Sequence, residues 1–216
     1  MVDPITLLAF IPAALVLNMT PGADMMFCLG QGLRSGPRAA IMASAGIAAG
    51  GMVHVTLAGL GLGALIGAHP WAFDVIRWIG VSYLVYLAVQ ALRFCRQTAA
   101  SGPSLSIWRA FGTGFVVNLT NPKVIFFVLA FVPQFVVPEA GSVLGQFVIF
   151  GAVLGVGGFI INAAVGAFAG RFSTGLNKRG RVLGWVSSGI FMALAARLAV
   201  LELSLIHISE PTRQDT

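Results

Sequence analysis

The chain runs in long apolar blocks and lacks the short alternation of apolar and polar positions that marks a half-exposed soluble fold. Residues 39–73 and 140–170 contain no formally charged side chain, and each block exceeds the roughly 20 apolar residues that a helix needs to cross hydrocarbon. Charged and Gly/Pro-containing breaks around them delimit six predicted spans, at about 5–33, 39–67, 71–94, 107–136, 142–170 and 181–201. Trp71, Trp78, Trp108 and Trp185 fall near predicted span ends, where an amphipathic ring suits the membrane interface. The pattern therefore predicts an all-α integral membrane protein, one transmembrane domain over 1–201 with halves of about 1–96 and 107–201.

Composition agrees with the pattern. Hydrophobic residues make up 57% of the 216 and charged ones 9%, against roughly 25% charged in soluble domains, which excludes a soluble enzyme and a disordered chain. A net charge of +6 and a pI near 10.4 raise the question of nucleic acid, but the basic residues sort by topology. The connections after the first, third and fifth spans hold Arg34, Arg38, Arg93, Arg96, Arg109, Arg171, Lys178, Arg179 and Arg181. The positive-inside rule then places these connections in the cytoplasm and both termini outside, and no nucleic-acid partner is expected. The N-terminus lacks the basic region of a cleavable signal and reads as the first span. Cys28 and Cys95 read as small buried hydrophobes without a disulfide. Glycines four apart, as at Gly32/Gly36, Gly46/Gly50 and Gly151/Gly155, read as packing seams within a bundle, with a dimer face as the alternative. The final segment, LSLIHISEPTRQDT (203–216), resembles a translated sequencing-adapter read-through, and no functional argument rests on it.

The pattern apolar-Asn-apolar-Thr occurs twice, as Leu17-Asn18-Met19-Thr20-Pro21-Gly22 and as Val117-Asn118-Leu119-Thr120-Asn121-Pro122. Each copy lies within an apolar span, the first and the fourth. Three spans per half is an odd number, so the halves are expected to be inverted, and interrupted helices at matching places in inverted halves point to a transporter binding site. Pro21 and Pro122 each remove a helical N–H and clash one turn back, so both spans are expected to be interrupted there. Freed backbone groups in lipid require an interior or a wet cavity.

Two charges lie inside these spans, Asp24 and Lys123. An ionisable group in a membrane helix faces the interior and marks a pathway by default. Asp24 is read as an acceptor for a proton or a substrate ammonium, and Lys123 as a contact for a substrate carboxylate or a gate; a structural ion pair between the two is the alternative. Asn18, Asn118 and Asn121 are candidates to line the cavity together with Thr20, Pro21, Gly22 and Pro122. Asn162 reads as interhelical glue, His54 as a satisfied polar contact, and Gln134 as a site candidate near the outer end of the fourth span. No nucleotide, zinc-protease or CxxC motif is present, so no cofactor, resident metal or enzymatic activity is expected.

The stretch Thr20-Pro21-Gly22-Ala23-Asp24, with glycines at 32, 36, 46 and 50, resembles the first-span signature of the lysine exporter / homoserine–threonine efflux family. Asn121-Pro122-Lys123 with Phe126-Phe127 and Pro133-Gln134-Phe135 resembles its fourth-span signature, and Trp78 to Leu87 its third-span pattern. One departure is Ala23, where the family's Pro-Gly-Pro has its second proline. The resemblance implies six helices, a dimer, the bacterial inner membrane, and proton-driven export of amino acids or their derivatives. It also implies that Asp24 is the coupling or substrate-amine residue and that the Pro21 and Pro122 breaks form the central site. One carboxylate suits one ammonium, which favours neutral substrates such as threonine, homoserine or leucine. A cation or metal exporter of related architecture is the alternative, although one carboxylate and one lysine are poor ligands for a divalent ion.

Overall fold

A computed structural model describes residues 2–68 and 104–169, together with short helical stretches between 75 and 89 and between 185 and 196. The bounds of the expected third and sixth spans, Cys95 and the segment 203–216 lie outside the described residues. All the described elements are helical.

Helix α1 (Pro4–Met19) opens on Asp3, whose carboxylate accepts from the backbone N–H of Ile5 and Thr6. Pro4 sits in the first turn, where it forfeits no helical bond. Pro21 then stops the helix. The chain restarts as α2 (Ala23–Ser35), bent by 52° from α1. Gly36, at φ 85°, turns the chain into the left-handed region that side chains avoid, and α3 (Pro37–Ala68) follows at once. Helix α4 (Ile107–Leu119) ends at Thr120, and α5 (Pro122–Phe135) restarts behind Pro122, again bent by 52°. Asn121 caps α5 by accepting from the Lys123 N–H at 3.0 Å. Within α5 the turn loosens to a π-helix over Phe127–Phe131 and tightens to a 3-10 turn over Val132–Phe135, where Pro133 lies. Helix α6 (Val143–Ala167) starts from the Ser142 cap.

Pro37–Leu62 of α3 and Val143–Ala167 of α6 are each long and apolar enough to cross a membrane, and each bent pair is long and apolar enough only when its two helices are taken together. Their outward faces carry Leu57, Leu60, Val156 and Ile160, apolar residues that lipid solvates and water does not. The second, fourth and fifth expected spans thus correspond to α3, α4–α5 and α6, and the first to the α1–α2 pair.

Helix α3 packs along both α4 and α6, and small residues set the closeness of approach. A Cβ at Gly46 would overlap the carbonyl of Phe111, one at Gly114 that of Ala43, and one at Gly32 that of Gly166. Without a hydrophobic effect between helices in lipid, such backbone contact is the main adhesion available. Gly155, in contrast, faces open space. Beside the breaks, Phe10, Phe127, Phe131, Phe135 and Phe150 form an aromatic core, with Phe10 and Phe150 centroids 4.8 Å apart. This layer fixes α1, α5 and α6 around the two interruptions.

Candidate functional site

Both breaks leave unfinished helix ends inside an apolar bundle, and their polar groups are satisfied by named side chains. At the end of α1 the carbonyls of Leu17 and Thr20 have no onward helical partner. Lys123, in the first turn of α5, donates its Nζ to both, at 3.0 and 2.9 Å. Its side chain crosses Gly22, where an added Cβ would stand 3.2 Å from Nζ. At the end of α4, the Asn118 carbonyl accepts from the Asn121 N–H at 2.9 Å. His54 of α3 also reaches it through Nε2 at 3.2 Å; a carbonyl only accepts, so Nε2 carries the proton. Thr20 and Thr120 both bond back to carbonyls of their own helices, Val16 and Val116. The repeated Asn-x-Thr pattern therefore has a shared local role at its threonine and a different one at each asparagine.

Asp24 lies in the first turn of α2, where the helix dipole favours a carboxylate. It is 6% exposed. Its Oδ2 accepts from Asn118 Nδ2 at 2.9 Å, so the two breaks meet directly. That bond fixes the Asn118 amide, because only its NH2 can face a carboxylate. Asp24 Oδ1 and Asn118 Oδ1 are both buried without a hydrogen-bond partner. Asn118 closes against Gly50, where a Cβ would stand 3.0 Å from Oδ1.

A cavity of about 40 Å³ opens beside this bond, among α1, α2, α3, α4, α5 and α6. Its polar lining comes from Asn18, Asp24, Asn118 and Asn162. Asn18 is anchored to α6 by its Nδ2 bond to the Leu154 carbonyl at 3.0 Å. Asn162 is buried, and its Oδ1 has no partner.

Of the sequence candidates, the structure brings Asn18, Asp24 and Asn118 to the cavity. Thr20, Pro21, Gly22, Asn121, Pro122 and Lys123 build the two breaks beside it. Gln134 is placed elsewhere: its Nε2 bonds the Ala130 carbonyl of its own helix at 2.7 Å, and it does not line the cavity. The ion pair between Asp24 and Lys123, weighed as an alternative, is not formed among the described residues; the ammonium faces the α1 carbonyls and the carboxylate faces Asn118. Asn162, read from sequence as glue, lines the cavity instead. The only signal it gave was one amide in an otherwise apolar span. Among the described residues no three His, Cys, Asp or Glu side chains are placed to hold a metal ion.

The profile of the LysE type translocator family matches residues 15–202. The homoserine/homoserine lactone efflux protein of Salmonella typhimurium is 29% identical over 201 residues, 88% of this chain and 94% of the relative. The leucine efflux protein of an Enterobacter species is 29% identical over 202 residues, 89% and 94% of the two chains. An uncharacterized membrane protein of Vibrio cholerae is 36% identical over 133 residues, 61% and 65%. No solved structure matches the chain. The chain belongs to the LysE type translocator family.

Proposed function

We propose that this LysE type translocator exports small neutral amino acids or their close derivatives, of the homoserine and leucine kind, across the bacterial inner membrane by exchange for protons. Relatives named for homoserine and leucine efflux align along most of this chain and most of their own, which supports the substrate class. The observation that carries the mechanism is Asp24, a carboxylate buried at the junction of two broken helices with one oxygen unpartnered beside a polar cavity.

A carboxylate in that position binds either a proton or a substrate ammonium, and the two exclude each other. Protons arriving from outside displace the ammonium outward; the amino acid, loading from the cytoplasm, displaces the proton inward. Lys123 holds the end of α1 in the closed arrangement, and a substrate carboxylate offers its ammonium a charged acceptor in place of two neutral carbonyls. Transfer of Lys123 to the substrate frees α1 to move relative to α2. Six membrane helices in two inverted halves, with both termini outside and a homodimer as the assembled form, complete the proposal. Equal bends of 52° at the two breaks support the inverted arrangement.

With basic connections in the cytoplasm, export appears as uptake into inside-out vesicles. Labelled homoserine or leucine is expected to accumulate under an imposed proton gradient, and an uncoupler is expected to abolish this. Asp24→Asn is expected to reduce gradient-driven accumulation to background while the protein still reaches the membrane. Undiminished, gradient-dependent uptake by that variant would remove Asp24 from the mechanism. Absence of uptake for every amino acid in a panel would reject the export reading.

A further inference from the structure

We infer that the cavity is a recognition site for a primary ammonium group, built from three acceptor oxygens: Asp24 Oδ1, Asn118 Oδ1 and Asn162 Oδ1. The inference rests on the export reading for its physiological ligand and extends it by assigning Asn162, on α6, as a specificity residue. All three side chains line the same small cavity. Each is at least nine-tenths buried, and each has a buried oxygen that no donor reaches.

Buried polar groups are almost always bonded, so three orphaned acceptors beside one cavity call for a donor-rich ligand. Their count and sign describe it. All three are acceptors and one is charged, which suits a cation with several N–H groups. A primary ammonium offers three donors, one for each oxygen. A cavity of about 40 Å³ suits a small group. The Asn118 amide is already oriented by its bond to Asp24, so its oxygen is fixed before a ligand arrives, and the Asn18 amide is likewise oriented by its Nδ2 bond to the Leu154 carbonyl. Asn162 comes from the second half of the chain and Asp24 from the first, so a bound ammonium bridges the halves.

Trimethylation keeps the positive charge and removes every N–H, which separates recognition by hydrogen bonding from recognition by charge alone. A site that hydrogen-bonds its ligand rejects an analogue lacking those groups strongly. The test uses the full chain purified in detergent, with methylammonium and tetramethylammonium chloride as probes at equal ionic strength. Methylammonium is expected to raise the unfolding temperature and tetramethylammonium to leave it unchanged. In inside-out vesicles, the N-trimethyl derivative of the transported amino acid is expected to compete about a hundredfold or more weakly than the parent. Asn162→Leu is expected to abolish the methylammonium shift and to narrow that discrimination.

Equal stabilisation by both probes, or equal competition by parent and N-trimethyl derivative, would overturn the inference without touching amino-acid export. A methylammonium shift that survives intact in Asn162→Leu would overturn the assignment of Asn162. Selective stabilisation by methylammonium in a protein that moves no amino acid would leave the ammonium site standing and reject the export reading. The ligand series on the unaltered protein decides the matter even if the variant fails to assemble.

Discussion

Lys123 donates to two carbonyls that end α1, and its side chain passes over Gly22 because that position has no Cβ. Replacing it with methionine keeps the aliphatic volume and orphans both acceptors. Each buried unsatisfied group costs about 1–3 kcal/mol, so Lys123→Met is expected to lower the unfolding temperature of the purified protein by several degrees. Gly22→Ala is expected to produce a smaller drop, because the ammonium end of a lysine is flexible enough to shift by a few tenths of an ångström. A Gly22→Ala effect larger than that of Lys123→Met would show that the lysine is not what holds the α1 end. At Asn121 the side chain caps α5, and Asn121→Ala is expected to cost about 1 kcal/mol, read by the same measurement. The motif residues around the prolines thus have two roles that the sequence does not separate: some finish helix ends, and others face the cavity.

Among the helices, backbone approach is controlled by glycines whose neighbours are carbonyls of other helices. Gly32 meets Gly166, and Gly46 meets Phe111. A carbonyl belonging to a packed helix cannot swing aside as a side-chain tip can, so the helices must separate to admit a larger residue. Gly46→Val is expected to reduce the yield of folded protein sharply, because it opens the α3–α4 seam that carries Asn118. Gly155→Ala, whose added Cβ meets no neighbouring atom and projects where Gly155 lines the cavity, is expected to leave the yield of folded protein unchanged. Size-exclusion profiles of the two variants in detergent check both statements. The spacing of glycines shows that seams exist, but both Gly151 and Gly155 fit the spacing and only Gly151 is in close contact, against Val55. The difference lies in which way each position faces, a property of the packed bundle.

For the molecule as a whole, the medium sets the rules. Val156 and Ile160 of α6 and Leu57 of α3 point outward, where lipid stands in for water. A charge at the middle of a membrane helix costs about 2.5–3.5 kcal/mol on insertion scales. Val156→Asp is accordingly expected to reduce the amount of protein recovered in the membrane fraction, and Val156→Leu to leave it unchanged. Equal recovery of the two would indicate that this face is not in contact with lipid. Asp24 escapes the same penalty because it is bonded, near a helix N-terminus and beside a polar cavity, three conditions that Val156 does not meet.

The sequence alone determined the medium, the helical class and the positions where helices stop. Apolar length and charge exclusion act locally, so 39–67 and 142–170 anticipate α3 and α6 closely, and the helices stop beside Pro21 and Pro122, where the ring removes an N–H and clashes one turn back, although Pro12 is carried inside α1. It also singled out Asp24 and Lys123, because a charge in an apolar run has no local explanation. What only the tertiary structure decided is which groups meet. Asn18 and Asn118 occupy the same place in the repeat, yet one bonds the backbone of α6 and the other bonds Asp24. Lys123 and Asp24 invite pairing by charge, yet the lysine reaches two helix-end carbonyls and the carboxylate bonds Asn118, leaving its other oxygen without a partner. Hydrogen bonds extend only about 3 Å, so partners are fixed by how the helices cross, and that geometry depends on contacts between residues far apart in the chain.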